Sequence, residues 1–153
     1  MLKSFIDGVL HNHILLAAFW AWLIAQLLKT IIYVIVNKDF NPERLVGDGG
    51  MPSSHSATVM ALVTATAFYY GADTFEFAVA AILALITMHD AMGVRRETGK
   101  QAKVINNMMD WFAELNSDLP PEEKLKEFVG HSPTQVFFGA LLGVIVAFVV
   151  CNL

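Results

Sequence analysis

The residues best suited to chemistry lie in residues 49–57, which read Gly-Gly-Met-Pro-Ser-Ser-His-Ser-Ala. Two glycines allow unusual backbone angles, and either serine after Pro52 can cap a helix whose first turn then carries His55. A helix N-terminus offers free N–H groups and the positive end of the helix dipole, which together suit an anion. A histidine there can act as an acid or a base near neutral pH. Capping alone explains the serines but not the glycine pair beside a histidine.

A second histidine precedes the last apolar segment, in residues 130–135, Gly-His-Ser-Pro-Thr-Gln. Ser132 and Gln135 form a capping box with proline at the first helical position. The capping box explains Ser132, Pro133 and Gln135 without any function. It leaves His131, just before a helix N-terminus, unexplained.

Charged residues also lie where apolar segments end. Asp90 lies near a predicted membrane boundary and needs a partner, for which Arg95 or Arg96 is the nearest candidate. Paired arginines present planar, bidentate donors that fit phosphate. An ion pair that only marks the end of a membrane span is the alternative.

Lys29 lies inside the first apolar segment, where a buried cation is costly unless it is paired or in water. Gln26 and Tyr33 share its helical face, so we predict that this face turns inward. Extension of the lysine to the nearer interface is the alternative. Arg44, in the following polar loop, is either a solvated charge or part of the same site.

Taken together, these residues predict phosphoryl transfer without a metal. One neutral histidine can attack phosphorus while a second, protonated, gives its proton to the leaving alkoxide. Fixed cations and N–H groups would hold the charge on the phosphoryl oxygens. A metal site built on His55, His89, Asp90 and His131 is an alternative, but these spacings match no zinc template. The residues at segment ends on one predicted face are Lys29, Arg44, His55, Arg95, Arg96 and His131.

Membrane helices are the elements that must position these residues. Of the 153 residues, 56% are hydrophobic and 16% are charged, whereas soluble domains carry about 25% charged residues. The apolar residues form four blocks, and the first is long enough to cross a hydrocarbon core of about 30 Å. We therefore predict an all-α, integral membrane bundle of about four transmembrane helices, forming one domain over residues 1–153. The blocks are residues 13–36, 56–70, 74–94 and 133–151.

The charge distribution bears on partners and on orientation. A net charge of −4 gives no basic surface for nucleic acid, and a single cysteine excludes an internal disulfide. The loops at 37–52 and 95–130 share one face and hold most of the lysines and arginines, which predicts that this face is cytoplasmic. Within the second loop, apolar residues at helical spacing predict an interfacial amphipathic helix with Trp111 as an anchor. They are Val104, Ile105, Met108, Phe112 and Leu115.

On four stretches the sequence resembles the divergent PAP2 family, a branch related to type 2 phosphatidic acid phosphatases and vanadium-dependent haloperoxidases. The resemblance covers nearly the whole chain. It lies in Ala-Gln-Leu-Leu-Lys at 25–29, in residues 49–57, in Asp-Ala-Met-Gly-Val-Arg-Arg at 90–96 with Gly-Lys-Gln-Ala at 99–102, and in Gly-His-Ser-Pro at 130–133.

The superfamily motifs are kept unevenly. Pro-Ser-Ser-His matches the second motif with serine in place of glycine, which implies that His55 is the general acid. The same match implies that Ser53 and the Ser54 N–H bind phosphate. The first motif is only loosely kept: Lys29 could be its lysine and Arg44 its arginine, although no proline follows Arg44.

The third motif is split by the 95–130 loop. The resemblance implies that Arg95 or Arg96 is its arginine and that His131 is its nucleophile, with Asp90 orienting one arginine. Lys100 would join the residues that hold phosphate. Gln135 stands where the superfamily has a carboxylate, and an amide can orient an imidazole N–H but stabilises imidazolium less.

The resemblance implies a metal-independent membrane phosphatase, without a cofactor, that acts on a lipid or isoprenoid mono- or diphosphate through a phosphohistidine. The alternative is a module that binds or transports a phosphate headgroup without hydrolysis, and Gln135 favours it. Membrane lipids are the other expected partners. Four helices enclose little interior, so a homodimer is a reasonable arrangement, although no residue pattern supports it.

Overall fold

In the computed structural model, the described residues are 1–39, 49–115, 124–127 and 129–153. They form six α-helices and, within those ranges, no strand, so the all-α prediction is confirmed. The helices are α1 (Leu2–Leu10), α2 (His13–Asn37), α3 (Ser54–Tyr70), α4 (Phe75–Met92), α5 (Val94–Leu115) and α6 (Pro133–Cys151).

A polar side chain caps the first turn of each helix in the apolar bundle. Such caps matter here because lipid offers no water to the free N–H groups of a first helical turn. The caps are Asn12 for α2, Ser53 for α3, Thr74 for α4 and Ser132 for α6. The apolar blocks of the sequence therefore begin within two residues of the helices they predict.

Three of the described helical segments are long and apolar enough to cross a membrane: α2, α6, and α4 with its continuation into α5. The fourth predicted span, α3, has only 17 residues, about 25 Å of helix. It packs against α2, α4 and α6, so its neighbours cover it. Its threonine hydroxyls donate to carbonyls four residues earlier, which satisfies them inside the helix. These pairs are Thr58 to Ser54, Thr64 to Met60 and Thr66 to Leu62.

Small residues at every fourth position hold the bundle together. On each of three helices they form a stripe along one face, and the three stripes face one another in the centre of the bundle. Such stripes let membrane helices approach closely and gain packing contacts, since lipid provides little hydrophobic drive for association. The stripes are Ala17, Ala21 and Ala25 on α2, Ala57, Ala61 and Ala65 on α3, and Gly139, Gly143 and Ala147 on α6.

The closest of these contacts joins α3 to α6. A methyl group added at Gly143 would collide with the Ala57 carbonyl oxygen and lie 2.9 Å from the Ala61 amide nitrogen. Likewise, a methyl group at Gly139 would collide with the Ser53 carbonyl oxygen. The two backbones are therefore in direct contact, which only glycine allows.

Two amphipathic helices flank the bundle. The predicted interfacial helix is α5, but it begins at Val94, ten residues before the first residue of the predicted apolar stripe, and it follows α4 after a bend at Gly93. The other, α1, was not predicted from the sequence. It buries no residue and exposes Leu2, Phe5 and Ile6.

We expect Gly143→Ala to destabilise the bundle by about 1–3 kcal/mol, because the added methyl forces α6 away from α3. The measurement is the free energy of unfolding of the detergent-solubilised protein. Gly8→Ala in α1 is the matched control, since nothing lies within 4 Å of a methyl group there. Equal stability of the two variants would contradict direct backbone contact between α3 and α6.

Candidate functional site

His55 and His131 lie side by side where the N-termini of α3 and α6 meet. Their ring centroids are 5.8 Å apart and the ring planes make an angle of 64°. His131 is only 2% exposed, whereas His55 is partly exposed. The structure therefore brings together the two histidines that the sequence placed in separate motifs 76 positions apart.

Three main-chain contacts hold this arrangement. The Ser53 N–H donates to the Gln135 carbonyl at 3.0 Å, which joins the start of α3 to the first turn of α6. Gly139, one turn further along α6, lies directly against Ser53. The His131 N–H donates to the Ala91 carbonyl at 2.9 Å, near the end of α4. Both histidines are thus fixed to helix ends rather than to a free loop.

The side chain of Gln135 orients His131. Its Oε1 accepts from the Ser132 N–H at 2.9 Å, which completes the predicted capping box. The same oxygen lies 3.3 Å from His131 Nδ1. A backbone N–H only donates, so the amide oxygen, not the NH₂ group, must face this point. A hydrogen bond to this oxygen requires the proton of neutral His131 on Nδ1, which leaves the lone pair on Nε2.

Lys29 faces inward, as predicted, and is only 3% exposed. Its side chain packs on the backbone of Gly50: a methyl group on Gly50 would lie 2.8 Å from Lys29 Cγ and 2.9 Å from Cδ. Gly50 also has a φ of +90°, which favours glycine. Gly50 thus makes room for a cation beside the segment that leads to His55.

The serines before His55 belong to the cap and the first turn of α3. The Ser53 side chain is fully buried, and its Oγ accepts from the Ser56 N–H at 3.3 Å and from the Ser56 hydroxyl at 3.0 Å. Its hydroxyl oxygen is therefore occupied in the cap of α3. Ser54 is also buried, and its N–H belongs to the first turn, where helical N–H groups lack intrahelical acceptors.

The predicted cations Arg95, Arg96 and Lys100 follow the end of α4, at the start of α5. Arg95 Nε contacts Asp90 Oδ2 at 2.9 Å, which settles the partner of Asp90. The Arg96 side chain is exposed, and Gly130 lies against its backbone. Lys100 pairs with Glu97 on the exposed face of α5. Arg44 lies outside the described residues.

The Asp90–Arg95 pair also lies beside an apolar groove. The groove has a volume of about 570 Å³, within the usual range of about 300–1,000 Å³ for small-ligand sites. Most of its wall comes from α4, and α6 contributes one side chain. The lining residues are Leu85, Ile86, Met88, His89, Asp90, Met92, Val94 and Val136. Ala91, whose carbonyl accepts from the His131 N–H, lies between the groove residues Asp90 and Met92. The polar end of the groove is therefore close to His131.

Within the described ranges, no three side chains of the His, Cys, Asp and Glu types form a group that could hold a metal ion. His89, the third histidine of the alternative metal site, is exposed and lines the groove instead.

One buried polar residue at this end was not predicted as part of the site. Asn106 on α5 is 2% exposed and makes three hydrogen bonds to the segment that leads to His131. The one sequence signal for its burial is its position on α5 opposite the apolar stripe.

Comparisons with known proteins identify a family and a relative. The model of the divergent PAP2 family matches residues 10–146. A protein of Bacillus subtilis (strain 168) named uncharacterized membrane protein YuiD is 43% identical over 150 residues, covering 92% of this chain and 95% of the relative. No solved structure matches the chain.

We expect ¹⁵N NMR of histidine-labelled protein to show neutral His131 with its proton on Nδ1. Gln135→Leu should shift it toward the Nε2-protonated form, because the acceptor is lost. His11 is the internal control, since its Nδ1 lies 2.7 Å from the Asp7 carbonyl, which also only accepts. An unchanged tautomer of His131 in the variant would contradict the role of Gln135.

Proposed function

The chain belongs to the divergent PAP2 family, and on that premise we propose that it is an integral membrane phosphatase. It hydrolyses a lipid or isoprenoid phosphate through a phosphohistidine on His131, without a metal. The observation that carries the proposal is the pair of histidines with ring centroids 5.8 Å apart at the junction of two helix N-termini. An acid and a nucleophile that act on one phosphoryl group must lie close together, and these two rings do so.

In the first step, His131 Nε2 attacks phosphorus and a P–N bond forms. The bond between phosphorus and the ester oxygen breaks, and protonated His55 gives its proton to that oxygen, so the lipid alcohol leaves neutral. A proton donated from Nδ1 to Gln135 Oε1 places the lone pair of neutral His131 on Nε2, and the attack requires this tautomer.

In the second step, now-neutral His55 takes a proton from water as the water oxygen attacks phosphorus. The P–N bond breaks, its electron pair returns to Nε2, and inorganic phosphate leaves. His55 is then protonated again and His131 is neutral, so the site is ready for another turnover. This use of one histidine as acid and then base follows from microscopic reversibility.

The phosphoryl oxygens bear negative charge throughout, and the surrounding groups are suited to hold it. Lys29 supplies a buried cation beside Gly50, and the first turn of α3 supplies N–H groups and the positive end of its dipole. Arg96 and Arg44 are the further cations we assign to phosphate, while Arg95 is held by Asp90. Lys100 is a peripheral member at most, because Glu97 neutralises it.

The substrate we assign has a long apolar chain. The groove beside Asp90 is lined mostly by apolar side chains, and its lining follows α4 from Leu85 to Met92. A hydrocarbon chain in this groove would leave its phosphate at the level of the histidines. Water-soluble phosphate esters would gain nothing from the groove and should be poor substrates.

We place the site on the cytoplasmic side of the membrane. Among the described residues, the lysines and arginines outside the spans lie at the end of the bundle that carries the histidines, except for Lys3 at the other end. A bias of this kind usually marks the cytoplasmic face. Lysines and arginines that bind phosphate would produce the same charge bias in either orientation. The test that separates the two causes is labelling of single cysteines from outside intact cells.

The second candidate function is binding or transport of a phosphate headgroup without hydrolysis. Gln135 favours it, because an amide stabilises the imidazolium that forms during attack less than a carboxylate does. Phosphate release from lipid phosphates, compared with headgroup binding without release, separates the two functions.

We expect His131→Ala and His55→Ala to abolish phosphate release, each by at least about 10²-fold, the lower end of acid–base contributions. The substrates are phosphatidic acid, phosphatidylglycerophosphate and isoprenyl mono- and diphosphates, presented in detergent with a chelator. His11→Ala is the matched control, since His11 lies at the opposite end of the bundle. Full hydrolysis by folded His131→Ala would refute the proposal, and loss of activity on chelation would favour the metal alternative.

We expect Gln135→Glu to raise turnover by about tenfold or more. A carboxylate keeps an acceptor for the Ser132 N–H and stabilises the developing imidazolium, and the reverse change in serine proteases costs about 10⁴-fold. The measurement is kcat with the best substrate of the panel. Gln101→Glu, on the exposed face of α5, controls for the added charge. Unchanged turnover in a folded variant would mean that the amide does not limit catalysis.

A further inference from the structure

The chain reaches His131 along the surface of α5. We call residues 124–127 and 129–130 the return segment, because they lead back from the charged loop to the bundle. Asn106 pairs with both main-chain groups of Leu125: its Nδ2 donates to the Leu125 carbonyl at 2.8 Å, and its Oδ1 accepts from the Leu125 N–H at 2.9 Å. The Asn106 amide thus makes the two hydrogen bonds that a neighbouring β-strand would otherwise make to Leu125.

Further contacts continue along the same line. Asn106 Nδ2 also donates to Glu127 Oε1 at 2.9 Å. Gly99 lies against the return segment so closely that a methyl group there would be 2.5 Å from the Glu127 carbonyl oxygen and 2.8 Å from that of Val129. Gly130 rests on the backbone of Arg96. The next residue is His131, whose own N–H is bound by Ala91.

The two faces of α5 have different partners. At about 100° per residue, the three buried positions of α5 fall within about 60° of one another, and the apolar stripe lies roughly opposite. The buried positions, Gly99, Ala102 and Asn106, face the return segment. The stripe is exposed, which suits a helix lying on the membrane surface. The return segment therefore lies on the side of α5 away from the stripe.

We propose that Asn106 is a positioning residue for His131. It fixes the return segment on α5, and the segment in turn sets the place of the imidazole beside His55. This inference rests on the proposed function for its effect on catalysis, but not for its effect on the structure. Asn106 touches neither histidine in the described structure, so it acts only through the segment.

The expected catalytic effect is large for a residue outside the site. A misplacement of about 1 Å can cost about 10²-fold in rate. We expect Asn106→Ala to lower kcat by tenfold to hundredfold and to leave KM within about twofold, because the cations and the groove remain. Asn107→Ala is the matched control: it is the adjacent asparagine, and it is exposed.

A second measurement does not depend on activity. Diethyl pyrocarbonate acylates accessible imidazoles, and peptide mass spectrometry reports each histidine separately. His131 should be protected in the unaltered protein and in Asn107→Ala, and should react at least tenfold faster in Asn106→Ala. Exposed His11 serves as the internal standard in every sample.

Gly99→Ala is a second variant that disturbs the same contact, and it serves if Asn106→Ala does not fold. Its methyl displaces the return segment, while alanine itself favours the helix over glycine. It should reproduce both the exposure of His131 and the loss in kcat. Unchanged protection of His131 in a folded variant of either kind would overturn the inference. Absence of hydrolysis in every protein, with His131 exposed only in the two variants, would instead refute the proposed function and uphold the positioning role.

Discussion

The backbone of α6 lies directly on the backbone of α3, and the rest of the site depends on this contact. Gly139 and Gly143 allow it, because any side chain at either position would meet a carbonyl oxygen of α3. The contact brings the N-termini of two helices together, each with a histidine in or beside its first turn. It also lets the Ser53 N–H reach the Gln135 carbonyl. The two histidines meet because of small residues that carry no chemistry themselves.

Polar groups in an apolar bundle are stable only when each is bound, since an unsatisfied group in lipid costs several kcal/mol. The structure meets this requirement mostly within single helices, by threonine hydroxyls and capping side chains. Ser53 shows the consequence: its oxygen is used by the cap, although its motif suggests a phosphate ligand. Gln135 serves both needs, because its one oxygen caps α6 and orients His131.

Apolar blocks and capping residues predicted four of the six helices closely, since both are local properties of the chain. The motifs around His55 and His131 predicted that these two histidines share one site, and the structure places their rings 5.8 Å apart. The sequence did not predict α1, which is short and polar on one face, or the early start of α5, whose first turns are highly charged. It also missed Asn106, because a buried asparagine looks like an exposed one until its partner 19 residues away is known. The four-residue spacing of alanine and glycine was readable, and it would have shown which helix faces pack together.

The regular spacing of these small residues has a consequence for how α6 finds its place. A stripe that repeats every four residues looks nearly the same after a slide of four residues, about 6 Å along the axis. Gly139, Gly143 and Ala147 alone would therefore tolerate several registers against Ala57, Ala61 and Ala65. The hydrogen bonds at the site end break this degeneracy, because Ser53 can reach Gln135 in only one register. The residues around the histidines thus set the register of α6 against α3, so substitutions there can shift the helices as well as alter the chemistry.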